Sequence, residues 1–115
     1  MKVIITGGKD FNDYTLLKLK CNELLKNYSD IEIVSTGDDG ASKLGELYAK
    51  DFGYSIKRFP IGSSFYTKAV EVDRNKQLIE YSDMLITFWD EKSRETKSII
   101  DIANSEYLPT TIIYY

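Results

Sequence analysis

Histidine is absent from the chain. That excludes Ser-His-Asp and Cys-His nucleophile pairs, histidine-ligated zinc and the usual proton shuttle at neutral pH. Cysteine occurs once, as Cys21. Neither an intrachain disulfide nor a four-cysteine metal site can form, and a single reduced thiol suits a cytosolic protein. No metal-ligating set stands out. Proline occurs only twice, too rarely for a Pro-rich disordered segment. Long apolar runs are missing too: Met1-Lys2 leads directly into the short Val3-Ile4-Ile5 run. That is too short for a signal segment or a membrane span, so the expected location is the cytoplasm, with no membrane partner. Basic runs are also lacking. With 15 Lys and Arg against 18 Asp and Glu, the net charge is −3, and binding to nucleic acid is not expected. Any catalysis must use carboxylates, hydroxyls, Lys, Arg or backbone dipoles.

What is present is the composition of a folded domain. The 115 residues are 43% hydrophobic and 29% charged, enough for one core. Val3-Ile4-Ile5-Thr6 reads as a strand buried on both faces, ended by Gly7-Gly8. Leu17, Cys21, Leu24, Leu25 and Tyr28 share one face of a helix that Asn12 or Asp13 can cap. Ile31–Val34 is a second strand. Ala41, Leu44, Leu47, Tyr48 and Phe52 mark a second helix, with Gly53 as its stop. Ser55–Phe59 reads as a strand and Ile61–Ala69 as a loop. Asn75, Leu78, Ile79 and Ser82 fit a third helix, which Asp73 is placed to cap and Arg74-Asn75 to open. Met84–Phe88 is a strong strand, Arg94–Glu106 a helix and Thr110–Tyr114 a last strand.

Strands alternating with helices across short connections require parallel crossovers. The expected fold is one α/β domain with a doubly wound parallel sheet of about five strands. The most continuously apolar runs, Val3–Thr6 and Met84–Phe88, belong in its interior, with the first strand central and the last at an edge. Ligands bind such sheets outside the carboxyl ends of the strands, so the loops after Thr6, Val34, Phe59 and Trp89 carry the candidate residues.

Gly7 and Gly8 allow backbone N–H groups to approach a ligand, although a strand-to-loop turn needs glycines equally. Gly37-Asp38-Asp39-Gly40 enters a helix and can present N–H groups, but its carboxylates repel phosphate. Asp39 can instead accept from a ribose or a base, and Mg²⁺ is left open as a ligand of this turn; no other cofactor is expected. Arg74 offers a fork for carboxylate or phosphate. After the fourth strand, Ser93 and Thr96 can cap a helix or touch a ligand. Trp89 can stack on a base or fill the end of the sheet.

In this order and spacing the loops resemble the SLOG superfamily, the Rossmann-like group that includes DprA and the LOG phosphoribohydrolases, and within it the short YpsA/YspA-related branch. That branch carries Gly-Gly-Arg-Asp-Phe, against Gly7-Gly8-Lys9-Asp10-Phe11 here. It carries Gly-Gly-Ala-x-Gly-Ala-Asp, against Thr36 to Ser42, an Arg-Asn pair like Arg74-Asn75, and a last motif close to Phe-Trp-Asp-Gly-x-Ser-x-Gly-Thr, against Phe88 to Thr96. The resemblance implies a Rossmann-like three-layer sandwich that binds a nucleotide or nucleotide-derived signal for sensing or sequestration. Gly7, Gly8, Gly37 and Gly40 would supply backbone, Lys9 and Arg74 charge, and Ser93 and Thr96 hydroxyls. Asp10, Asp39, Asn75 and Trp89 complete the expected site, and a homodimer is left open.

The departures are Lys9 for arginine, Asp38 for a small residue, and Glu91 and Glu95 for glycines. LOG enzymes also carry a catalytic glutamate three residues after the threonine of their last loop, where this chain has Ile99. An N-glycosidase acting on nucleoside monophosphates would have to recruit Asp90 or Glu95. That is the enzymatic alternative. A DprA-like nucleic-acid module, which the acidic charge disfavours, and a pure interaction protein with a vestigial pocket are the others.

Overall fold

The computed structural model describes residues 1–61 and 66–115. The Ile61–Ala69 loop reading therefore lies partly outside the described residues. Among the described residues, strands and helices alternate: β1 (Lys2–Gly7), α1 (Tyr14–Leu25), β2 (Glu32–Ser35), α2 (Ala41–Phe52), β3 (Ser55–Arg58), α3 (Lys68–Tyr81), β4 (Met84–Trp89), α4 (Arg94–Ser105) and β5 (Thr110–Tyr114).

The strands form one five-stranded sheet in the order β3-β2-β1-β4-β5, and every pairing is parallel. β1 is central, as its apolar run predicts, and β5 lies at an edge. Chain order reverses at β1, so the crevice at the carboxyl ends of β1 and β4 is the switch point of the sheet. Successive side chains point to opposite faces of a strand, and the two cores follow from that alternation. Val3, Ile5, Ile33, Ile86 and Phe88 pack with α1 and α2 residues such as Leu17, Cys21 and Tyr48. Ile4, Val34 and Leu85 pack on the other face with Leu78, Ile79, Ile99 and Ala103 of α3 and α4. The result is a three-layer α/β/α sandwich of Rossmann-like form. None of the helices described is long and apolar enough to cross a membrane.

Local signals explain most boundaries. Asp13 caps α1 by accepting from Leu16 N–H at 3.0 Å. Gly53 ends α2, and the following Tyr54 N–H closes on the Ala49 carbonyl at 2.8 Å, as in a Schellman-type stop. Three helical readings need correction. α2 buries Ser42, Gly45 and Glu46, while Leu47 and Phe52 are exposed, because Gly45 brings the helix backbone against Ile5.

The second correction concerns α3, which starts at Lys68 rather than at Arg74. Thr67 caps it, its Oγ1 accepting from Val70 N–H at 3.1 Å. Asp73 is exposed, and Arg74-Asn75 lie in mid-helix. The inward face of the first turns is Glu71 and Asn75, so apolar periodicity is silent there. Tyr28 likewise falls beyond α1 and is exposed.

Candidate functional site

A cavity of about 360 Å³ opens over the carboxyl ends of the strands. It lies within the size range of small-molecule sites. Its lining draws on each carboxyl end the topology brings there: Thr6 and Gly7 at the end of β1 and Lys9 after it; Thr36 and Asp38 after β2; Ile61 after β3; Tyr66, Glu71, Arg74 and Asn75 from the entry and first turns of α3; and the cap Ser93 with Glu95, Thr96 and Ile99 of α4.

The floor is built by close backbone approach. Gly7 has φ +152°, and a Cβ there would run into the Phe88 carbonyl, so only glycine lets β1 pass into its loop beside β4. Gly8 N–H donates to that carbonyl at 3.0 Å. The Gly8 carbonyl in turn accepts from Phe11 N–H at 3.2 Å and Ala41 N–H at 3.1 Å. Gly40, at φ +77°, lies so close to the Lys9 carbonyl that a Cβ would overlap it. These contacts lock the first loop onto the start of α2, so the Ala41 N–H is spent inside the protein.

Thr6 and Thr36 of the lining belong to a chain of hydroxyls that runs through Ser42. Ser42 Oγ lies 2.9 Å from Thr6 Oγ1 and accepts from Thr36 Oγ1 at 2.8 Å. Ser35 Oγ donates to Glu46 Oε2 at 2.7 Å, and Arg58 reaches the same carboxylate with Nε and Nη2. Burial alone would raise the Glu46 carboxyl, but the hydrogen bonds from Arg58 and Ser35 outweigh it and hold the group below the ordinary carboxylate range.

The α3 side carries the charge. The Arg74 side chain is only 10% exposed. Its Nε donates to Asn75 Oδ1 at 3.0 Å and its Nη1 to the Phe59 carbonyl at 3.1 Å, and Nη2 lies 3.6 Å from Asp38 Oδ2. Glu71 is almost fully buried. It accepts from the Tyr66 hydroxyl, and that bond, followed by burial, pushes the phenol up to about 12.

On the α4 side, Ser93 caps the helix, and its Oγ lies 3.2 Å from Thr96 Oγ1. Asp90 Oδ1 accepts from Lys92 N–H and Ser93 N–H, both at 2.8 Å, and these bonds lower its carboxyl. Trp89 packs on Tyr114 and donates through Nε1 to the Ser93 carbonyl at 3.0 Å, so it braces the loop.

Of the residues singled out from sequence, the fold brings Gly7, Lys9, Arg74, Asn75, Ser93, Glu95 and Thr96 to the cavity. Among the described residues its lining leaves out Gly8, Asp10, Gly37, Asp39, Gly40, Trp89 and Asp90. Several of these shape the loops beside it. Sequence reasoning missed Glu71 and Tyr66, whose only signal was a carboxylate one helical turn before Arg74. Among the described residues, no three His, Cys, Asp or Glu side chains converge as metal ligands.

Residues 1–62 match the family described as YspA, cpYpsA-related SLOG, over more than half of the chain. The protein belongs to this SLOG family. No curated protein and no solved structure gives a significant match. The matched span carries β1 to β3, both glycine-bearing loops and Asp38. Arg74, Asn75 and the β4–α4 loop lie beyond it. SLOG membership suggests a nucleotide-related function on a Rossmann-like sheet. Three SLOG departures also acquire a physical meaning. Asp38 stands in the cavity facing Arg74, Glu95 adds a further carboxylate to the lining beside Asp38 and Glu71, and Glu91 takes φ +67°, a conformation that glycine adopts without strain.

Proposed function

We propose that this SLOG protein binds a nucleotide or nucleotide-derived small ligand in the cavity at the switch point, as a sensor or sequestering protein. One observation carries the reading: a nearly buried, doubly anchored Arg74 guanidinium lines a concave site rimmed by threonine and serine hydroxyls. A fixed guanidinium binds an anion without the entropy of ordering a long side chain. The hydroxyls of Thr6, Thr36, Ser93 and Thr96 can serve a sugar or a base. Lys9 adds a second cation at the rim.

Mass spectrometry of small molecules that copurify with the protein tests this directly, followed by calorimetry with the compound found. A nucleotide-type compound is expected. Arg74→Ala should weaken its binding by about 1.5–3 kcal/mol, the scale of a hydrogen bond to a charged group. Equal affinities for the two proteins would remove Arg74 from the site.

A hydrolytic reading has one observation in its favour: Glu71 and Glu95 share the cavity with Ile99. N-glycosidic cleavage needs a carboxylate beside an oxocarbenium-like centre, and Glu71 is the more enclosed of the two. Free base released from nucleoside monophosphates, and lost in Glu71→Gln, would establish it.

A further inference from the structure

Arg74 and Asp38 are unequal partners. The arginine is 10% exposed and held by Asn75 and Phe59; the aspartate side chain is 45% exposed, on the turn between β2 and α2. Their closest approach, 3.6 Å, is within ion-pair range but longer than a hydrogen bond. Guanidinium carries five N–H donors. Nε and one Nη1 proton are engaged by Asn75 and Phe59. Nη2 faces the Asp38 carboxylate at 3.6 Å, beyond hydrogen-bond distance. A good anion site is therefore filled, loosely, by an anion of the protein itself.

We propose that Asp38 is the selectivity residue of this pocket, a tethered counter-ion on Arg74 that turns away small free anions and yields only to an anionic group carried by a larger ligand. The inference rests on the nucleotide-binding reading above. Because Asp38 is held on a short turn, its effective concentration at the guanidinium is high. Free phosphate must beat it through one charged contact alone. A phosphate attached to a nucleoside brings further hydrogen bonds from Thr6, Thr36, Ser93 and Thr96, and the sum of these displaces the carboxylate. Glu71 and Glu95 in the same lining add to the repulsion a bare anion meets. Asp38, whose side chain is half-exposed, has solvent beside it into which the carboxylate can swing.

The test uses inorganic phosphate as the probe, at fixed ionic strength, followed by NMR titration of the Arg74 Nε–H resonance. Asp38→Asn should bind phosphate about tenfold more tightly than the wild type, the scale of one regained charge-assisted contact. Asp39→Asn removes the same charge next door and should leave the affinity within about twofold, because Asp39 is exposed and lies outside the cavity lining. Equal phosphate affinity in Asp38→Asn and wild type would overturn the proposal, as would an equal gain in Asp39→Asn, or no binding at all in Asp38→Asn. These results are independent of whether a nucleotide copurifies. A wild type that retains a nucleotide but shows no Asp38 effect refutes this inference alone. An Asp38 effect without any nucleotide refutes the reading it rests on.

Discussion

The Tyr115 hydroxyl donates to Asp10 Oδ1 at 2.6 Å, joining residues 105 positions apart in sequence. Tyr115 N–H also donates to the Trp89 carbonyl at 3.2 Å, and its ring meets Phe11 edge-on, with centroids 4.8 Å apart. Phe11 stacks on Phe88 in turn. The loop after β1 is thus clamped from outside by the residue that follows β5. Asp10, a candidate ligand contact from the sequence, takes part in this clamp.

Tyr115→Phe keeps the ring and removes the clamp's hydrogen bond. It should cost about 1 kcal/mol in urea unfolding, and faster hydrogen exchange at Phe11 N–H should report a looser loop. Burial first, then the bond to Asp10, raises the phenol above its ordinary value. This stabilisation is full below the unfolded phenol's pKa, near 10, and is lost as pH rises through the folded value. Wild type should therefore lose its advantage over Tyr115→Phe at strongly alkaline pH.

Glu46 makes the opposite prediction at acid pH. Its folded carboxyl is held below the ordinary range, so its stabilisation is present above the unfolded glutamate pKa, about 4.3. It fades as pH falls through the folded value. Half-exposed Arg58 limits the effect through solvent screening. Melting curves from pH 7 to pH 3 should show Glu46→Gln less stable than wild type at neutral pH. The two should converge toward acid, and a gap independent of pH would count against the ion pair.

Glu91 sits on the exposed β4–α4 loop at φ +67°. A β-carbon there is strained by about 1 kcal/mol. Glu91→Gly should raise the unfolding midpoint, with the strain relieved partly offset by glycine's greater freedom in the unfolded chain. A lower midpoint would mean that the Glu91 side chain makes a contribution its exposure does not suggest.

The central place of β1 and the alternation of strands with helices were legible in the sequence because burial on both faces leaves an unmistakable mark on β1 and β4. Val3-Ile4-Ile5 and Met84-Leu85-Ile86 are apolar without alternation, and parallel strands need crossover helices between them. The caps Asp13 and Ser93 and the stop Gly53 are equally local, set by a side chain or backbone group within a few residues. The family, too, could be read from the order of the loop motifs.

The start of α3 was not legible, and for a reason tied to the site. Glu71 and Asn75 are buried against polar space, so the helix there lacks the apolar stripe that marks a helix in sequence. The division of the glycines also waited for tertiary structure. Gly7 and Gly40 look alike as loop glycines, yet one lines the cavity and the other seats one loop on another. Asp38 was visible as a charge in the wrong place for phosphate. Only the packing of α3 beside the β2–α2 turn decided that its partner is Arg74. Local chemistry determines elements and their ends; which charges meet depends on contacts between distant segments, and those exist only once the sheet has assembled.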